Sequence, residues 1–363
     1  MVVKLFLEVC EDMTSQPFEI CLAPLRGVTD ALFRTTYAEF FSGIDWAVAP
    51  FLTTTQGEVC RNNRLRDVLP ENNPRMPVVP QILGKRADKF ISLARSLHDL
   101  GYDTVNWNLG CPFPRVARKQ RGSGLLPHPD LIDAFLARVF AETPMQISIK
   151  ARVGRHTAEE IYPLITVFNR YPLKELILHP RTGIQMYTGQ PDLETFEKCI
   201  PLCNCPVIYN GDINTKSDFD RLSWRFPTVT TWMIGRGAIA NPFLPGLIKG
   251  QVDGNTDWVE RYRLFHNVLF ERLSQVRHGP VHLIDSMKGY WGYFSAAFVA
   301  GEHILKQVRK ARGVAHYQDI VSRFFETEAY KNNFNGKFEK PAIDHEEQSV
   351  ATGFWNGQEM MRG

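Results

Sequence analysis

Eight short β-branched or apolar runs, near residues 20–23, 46–49, 78–82, 104–108, 146–150, 175–178, 206–209 and 230–234, recur along this chain. Longer stretches of helical period, such as Asp88 to Leu100 and Pro129 to Glu142, separate them. Such alternation predicts βα units and a parallel sheet, and eight strands is the number at which that sheet closes into a (β/α)8 or TIM barrel. Catalytic residues of such a barrel sit on the loops after the strand C-termini. Here the later runs stop at polar or charged groups: Asn106-Trp107-Asn108-Leu109-Gly110-Cys111-Pro112, Ser148-Ile149-Lys150, Leu178-His179-Pro180-Arg181, Tyr209-Asn210-Gly211-Asp212 and Ile234-Gly235-Arg236-Gly237. Repetition at successive strand ends is how a barrel assembles one site.

After Asn241-Pro242-Phe243 the alternation stops. From Trp258 to Glu328 the period is helical, with Leu264, Val268, Leu269 and Leu273 as the expected apolar stripe. The expected division is an N-terminal extension over 1–18, a barrel over 19–243, a small all-helical domain over 244–330 and a polar tail over 331–363 that is loosely attached. The long connection from Pro50 to Pro77, with Arg61, Arg64 and Arg66, is expected to lie over the barrel mouth. A chain of 363 residues with 44% hydrophobic content can fill both cores.

The seven cysteines are an odd count, and Met1 to Cys10 carries Lys4 and Glu8 and lacks a small-residue cleavage site, which together point to a reducing cytoplasm. No stretch approaches the roughly 20 apolar residues of a membrane span, so a soluble chain is expected. A net charge of +3 is too small to establish nucleic-acid binding by itself. Distribution says more: Arg115, Arg118, Lys119 and Arg121 follow the cysteine, and Lys306, Arg309, Lys310 and Arg312 form a second basic run. An isolated run of this kind is ordinarily a solvated face, and the nearness of the first to Cys111 is what favours an anionic substrate.

An unpaired cysteine is most often an inert small hydrophobe. Against that reading, Gly110 and Pro112 define a turn around Cys111, and the adjacent cations suit either a lowered thiol pKa or an anion held close by. Gly235-Arg236-Gly237 and Asn210-Gly211-Asp212 are common turns when taken singly. At consecutive strand ends they suit a bound phosphate. Lys150 ends a strand that would otherwise be buried, and a buried ammonium needs a partner such as a cofactor. His179, at a strand end two residues before Arg181, reads as a site residue rather than a core histidine. Cys199, Cys203 and Cys205 lack the paired-knuckle spacing of a metal site, and no metal is expected.

Taken in order, the motifs resemble the tRNA-dihydrouridine synthase family, from about Ile20 to Phe325. They are Leu22-Ala23-Pro24-Leu25-Arg26-Gly27-Val28-Thr29-Asp30, Asn108 to Pro112, Lys150-Ala151-Arg152, His179-Pro180-Arg181-Thr182 with Tyr187 and Gly189, Asn210-Gly211-Asp212 and Gly235-Arg236-Gly237. The tract Met287-Lys288-Gly289-Tyr290-Trp291-Gly292-Tyr293-Phe294 resembles the helical domain of the shorter bacterial members. Leu25 stands where methionine is common, Pro114-Arg115 replaces a stretch that often contains lysine, and Ala49-Pro50-Phe51 replaces a more acidic loop.

The resemblance implies FMN as cofactor, held by Pro24, Leu25, Arg26, Gln81, Lys150 and His179, with Asn210, Gly211, Asp212, Gly235 and Arg236 at its phosphate. It implies NADPH as reductant and tRNA as partner, contacted by Asn108, Arg152, Tyr187 and Lys288. Cys111 would be the general acid, protonating carbon-5 of uracil as hydride reaches carbon-6. A cytoplasmic monomer is the expected form. Two alternatives stay open at this point: an FMN barrel that reduces a small pyrimidine or related acid, and a non-catalytic RNA-binding relative.

Overall fold

A computed structural model describes residues 17–54 and 65–327. The tail over 331–363 and nearly all of the extension over 1–18 lie outside the described residues. The strands are β1 (Glu19–Leu22), β2 (Trp46–Val48), β3 (Leu52–Thr53), β4 (Val78–Val79), β5 (Gln81–Leu83), β6 (Thr104–Leu109), β7 (Gln146–Gly154), β8 (Leu176–Thr182), β9 (Val207–Tyr209) and β10 (Thr231–Ile234). The helices are α1 (Ala31–Phe40), α2 (Ala87–Asp99), α3 (Pro114–Ala117), α4 (Pro129–Glu142), α5 (Ile161–Phe168), α6 (Leu193–Cys199), α7 (Lys216–Arg225), α8 (Arg236–Ala240), α9 (Leu244–Ile248), α10 (Trp258–Val276), α11 (Pro280–Phe294), α12 (Gly301–Arg309) and α13 (Val314–Thr327).

Every strand pairing is parallel, and the ten strands form one sheet that starts at β3 and β5 and finishes at β2 and β4. Its two edges are the halves of the same two strands. Ala49 N–H donates to Val79 O at 3.0 Å and Thr54 N–H to Leu83 O at 3.3 Å, which carries the pairing of β2 with β4 on into that of β3 with β5. Pro80, which has no N–H to give, interrupts one of the pair, while its carbonyl still accepts from Asn106 N–H at 2.9 Å. With each interrupted pair counted once, eight strands close on themselves through β1 and β10. The expected barrel is therefore present, and the sheet has no open edge to protect. The start of the Pro50 to Pro77 connection, expected over the mouth, instead continues the wall as β3.

Residues alternate across each strand. In β6, Trp107 faces outward, stacked on Phe135 of α4 with centroids 3.9 Å apart and edge-on to Phe90 of α2 at 6.4 Å. Its neighbours Asn106 and Asn108 consequently point into the barrel. Inside, Cys21, Ala23, Val48, Ile177, Ile208 and Met233 make an apolar cluster. β7 and β8 run beyond the expected ends at residues 150 and 178, so Lys150, Arg152, His179 and Arg181 sit within strands rather than on loops. A strand tolerates such polar groups when its inner face looks onto a lumen that supplies partners for them.

Contacts divide the chain into two compact units. Among the described residues, the first holds the whole sheet, within 17–24, 44–54, 65–212 and 220–234. The second takes in 25–43, 213–219 and 235–327, so that α1 belongs with α8 to α13. Its core is aromatic: Phe33 stacks on Tyr290 at 5.6 Å and meets Phe265 edge-on at 6.0 Å. On α10 the buried face is Tyr262, Phe265, His266, Leu269 and Leu273. Leu264, placed in the stripe from sequence, is 44% exposed and Val268 only half-buried. The aromatic positions at 262 and 265 set the face, and Leu264 lies about 100° away from Phe265 around the helix. Among the described residues no helix is long and apolar enough to cross a membrane.

Candidate active site at the strand ends of the barrel

β6 stops at Leu109, and the next two backbone N–H groups turn back onto the strand. Gly110 N–H and Cys111 N–H both donate to Asn108 Oδ1, at 3.1 and 2.9 Å. From the other side Ser123 grips the cysteine carbonyl twice, through its N–H at 3.0 Å and its hydroxyl at 3.1 Å. Gly122, at φ +55°, presses so closely that a Cβ there would lie 2.7 Å from Cys111 O and 2.8 Å from Cys111 Cβ. Gly110, singled out from sequence, is under no such constraint, since a Cβ there would be 3.5 Å from its nearest neighbour. Cys111 is 8% exposed. Arg115, Arg118 and Lys119, just beyond it, are exposed to solvent.

Arg152 supports the same turn. Its Nε donates to Gly110 O at 3.1 Å and its Nη1 to Thr182 O at 2.8 Å, while its guanidinium lies 5.3 Å from the centre of the Tyr187 ring. Only 2% of it is exposed. Burial draws its pKa down to about 10, against the pull of Tyr187, so it stays cationic at neutral pH. Arg155 adds longer contacts, 3.4 Å to both Pro112 O and Ser123 Oγ.

Lys150 is half-buried, and its Nζ donates to Asn210 Oδ1 at 2.6 Å. The other end of that amide donates to Met233 O at 3.0 Å, which ties β7, β9 and β10 together. Burial first, and then the Arg152 cation, pull Lys150 down to about 7, with the thiols of Cys21 and Cys111 pulling the other way. Its hydrogen-bond partner is a neutral amide, so an anion placed against it would be a strong one to hold.

Arg181 is fully buried and organises the neighbouring strand end. Its two Nη atoms bind the Asp212 carboxylate at 3.1 and 2.5 Å, and Nη2 also reaches Gly189 O at 2.8 Å. Nη1 lies 3.2 Å from His179 Nε2. A guanidinium can only donate, so Nε2 must be the accepting nitrogen of a neutral ring whose hydrogen is on Nδ1. Asp212 is thus paired through its carboxylate. Gly211 is glycine because a Cβ would fall 2.1 Å from the Tyr209 hydroxyl oxygen.

Of the other expected site residues, Pro24 and Gln81 belong to the first unit, and Leu25, Arg26, Gly235, Arg236 and Lys288 to the second. Leu25 opens a turn in which its N–H donates to Thr29 Oγ1 at 2.8 Å, and its carbonyl accepts from Val28 and Thr29 N–H at 3.0 and 2.9 Å. Arg26 on that turn is exposed. Gly235 precedes α8, and Gly237 backs so closely on Ile213 O that a Cβ would meet it at 2.0 Å. Lys288 on α11 is half-buried, 3.8 Å from Asp285. Cys199 is buried and Cys203 and Cys205 partly so. Burial pushes the first two up to about 12 and the third to about 11.

Residues 21–340 match the family model for dihydrouridine synthase. The chain belongs to that family. A tRNA-dihydrouridine synthase B of Pasteurella multocida is 26% identical over 286 residues, 78% of this chain and 82% of that protein. A tRNA-dihydrouridine(16) synthase of Neisseria meningitidis serogroup B is 25% identical over 320 residues, 85% of this chain and 95% of that one. Among solved structures, an old yellow enzyme homologue from Zymomonas mobilis is 14% identical, with TM-score 0.48 over 68% of this chain and 94% of that one.

For this dihydrouridine synthase family member, the residues given no role from sequence are those behind the site: Asn106, Ser148 and Arg181, which stand in the strand-end runs, and Ser123 and Gly122, which do not. A signal for three of them exists in the sequence. Asn106 lies two residues before Asn108, Ser148 two before Lys150, and Arg181 two after His179, so each shares the inner face of a strand with a recognised site residue. Gly122 and Ser123 have no such signal, because only the folded loop brings them to Cys111.

Proposed function

We propose that this protein reduces uridine in tRNA to 5,6-dihydrouridine, with FMN as resident cofactor, NADPH as reductant and Cys111 as proton donor. The observation that carries the reading is the family match over residues 21–340. The strand ends suit FMN: Lys150 offers a hydrogen-bond donor toward the accepting edge of a flavin ring, a charge that would also suit the ring once reduced. Pro24, Leu25, Arg26, Gln81, Gly235 and Arg236 rest on motif alone, and Gln81 already has its amide oxygen and nitrogen engaged by Asn108 and Asn106. FMN would supply the hydride that uracil takes at carbon-6.

The chain's own part is to hold and protonate the base. Asn108 keeps the Cys111 turn shut, and the thiol gives its proton to carbon-5, so the C5=C6 double bond becomes a single bond with one new C–H at each carbon, and the sulfur is left as a thiolate to be reprotonated from solvent. Arg152 is assigned to bracing Gly110 and orienting Tyr187 rather than to a phosphate, because its donors are used inside the protein. Exposed Arg115, Arg118 and Lys119, with Lys288, are the proposed tRNA contacts.

The test maps dihydrouridine in total tRNA from cells with and without the gene, with Cys111→Ala as a third arm. The expected result is one or more positions lost in the deletion and restored by the wild-type gene but not by the variant. Unchanged tRNA, alongside turnover of free uracil by purified protein, would replace this reading with that of a small-pyrimidine reductase.

A further inference from the structure

Behind the Cys111 turn runs an unbroken file of buried polar side chains. Asn108 Nδ2 donates to Gln81 Oε1 at 2.7 Å, Gln81 Nε2 to Asn106 Oδ1 at 2.8 Å, and Asn106 Nδ2 to Ser148 Oγ at 2.8 Å. Gln81, Asn106 and Ser148 are each 0% exposed and Asn108 7%. The sheet register explains the file, since Gln81 pairs with Asn106 and Asn106 with Ser148 across β5, β6 and β7.

The orientation of all three amides follows from one end. Gly110 and Cys111 present two N–H groups, which only an oxygen can accept, so Asn108 must turn Oδ1 toward them. Its Nδ2 then faces Gln81, which must answer with Oε1. Gln81 Nε2 in turn requires Asn106 Oδ1, and Asn106 Nδ2 requires an acceptor, which is Ser148 Oγ. Reversing any amide would set donor against donor in a place where water cannot intervene. The two backbone N–H groups at the cysteine and the serine hydroxyl on the neighbouring strand are therefore parts of one constraint.

We propose that Asn106 and Ser148 are positioning residues for Cys111, acting through Gln81 and Asn108 to fix the backbone from which the thiol projects. The proposal rests on the reading of Cys111 as the proton donor. Gln81 lies in the middle of the file, so the same hydrogen bonds couple the set of the acid turn to a residue assigned to the cofactor.

Asn106→Leu removes both links at nearly constant volume and leaves Gln81 Nε2 and Ser148 Oγ without partners. Asn106→Asp can still accept from Gln81 and can receive a hydrogen from the Ser148 hydroxyl, so it restores the file with one bond reversed. Ser148→Ala removes only the last acceptor.

The test uses the full-length protein with bound FMN and has two readouts. The first is single-turnover reduction of uridine in unmodified tRNA, run beside the rate at which NADPH bleaches the flavin. The second is the rate at which iodoacetamide alkylates Cys111, followed by mass spectrometry of the peptide that carries it. Asn106→Leu should slow uridine reduction by about tenfold or more and speed alkylation by a similar factor, as expected when a buried amide network worth about 1.4 kcal/mol or more at the turn is lost. NADPH oxidation should stay within about twofold of wild type, because chemistry at the flavin alone does not use the thiol. Asn106→Asp should return both readouts toward wild type, and Ser148→Ala should move them in the same direction as Leu but less.

Wild-type values for Asn106→Leu in both readouts, with Cys111→Ala inactive, would overturn the positioning role and leave the acid assignment standing. Full activity of Cys111→Ala would overturn the acid assignment, and the alkylation rates would still decide whether the file holds the turn. Should the Leu variant fail to fold or to retain FMN, unchanged alkylation in Ser148→Ala would overturn the proposal, and faster alkylation there would sustain it.

Discussion

Lys150 is a cation in a place that resists one. In the ligand-free protein burial and the nearby Arg152 lower it to about 7, so it carries its charge below that pH and loses it above. The oxidised flavin ring is neutral, but its N1 and C2=O accept hydrogen bonds and a charged ammonium is the stronger donor to them, so binding above pH 7 should be accompanied by uptake of a proton. FMN affinity of the ligand-free protein is therefore expected to weaken as pH rises from 6.5 to 8.5. Lys150→Met should bind FMN at least about tenfold more weakly at pH 6.5, the loss of one charge-assisted hydrogen bond, and should flatten the slope above pH 7. Quenching of FMN fluorescence at several pH values measures both, and the variant subtracts the cofactor's own phosphate titration. A slope that persists in Lys150→Met would assign it to another group.

At the scale of elements, β6 and the segment that returns to it decide how the cysteine is held. Two glycines flank the question and give opposite expectations. Gly122→Ala places a Cβ 2.7 Å from Cys111 O at a φ of +55°, so it should destabilise the fold by roughly 1–3 kcal/mol and cut uridine reduction sharply. Gly110→Ala meets only an ordinary contact at 3.5 Å and should be far milder in both. Thermal melting with activity on tRNA tells them apart, and a Gly110 variant worse than Gly122 would contradict the steric account. The sequence marks Gly110 because it is adjacent to Cys111, whereas Gly122 reaches it only through the α3 turn. The same limit applies elsewhere. Eight strands were legible because parallel strands buried on both faces read as continuous apolar runs. Their true ends were not, because the inner row of Lys150, Arg152, His179 and Arg181 looks like loop until the lumen that satisfies it is known. On α10 the apolar pattern was legible and its phase only in part: Leu269 and Leu273 of the expected stripe are buried, whereas Leu264 and Val268 give way to Tyr262 and Phe265, which fit a helical period equally well.

At the scale of the whole molecule, family membership fixes the reaction class more firmly than the position acted on. One relative is named for position 16 and another only as a B-type enzyme, at 25% and 26% identity. Stability, by contrast, can be argued from this chain alone. His266 is 3% exposed within the second unit, and its ring is held at both nitrogens, by Asn267 Oδ1 at 3.0 Å from Nδ1 and by the Tyr317 hydroxyl at 2.7 Å from Nε2. Tyr317 accepts from Trp291 Nε1–H at 2.8 Å and so directs its own hydrogen to His266 Nε2, leaving the imidazole neutral with its hydrogen on Nδ1. Burial lowers the histidine to about 4, whereas in an unfolded chain it titrates near 6.5. Between those values the unfolded state binds a proton that the folded state refuses, so stability is complete above about pH 6.5 and is lost as pH falls toward 4. The loss attributable to this residue should be on the order of 2–3 kcal/mol at pH 4.5. Urea midpoints at pH 7 and 4.5 for wild type and His266→Gln measure it. The variant should be the less stable of the two at pH 7, because it gives up a fitted ring, and should lose less on acidification. If both chains lose the same amount between the two pH values, the acid sensitivity belongs to other groups and His266 is only a packing residue.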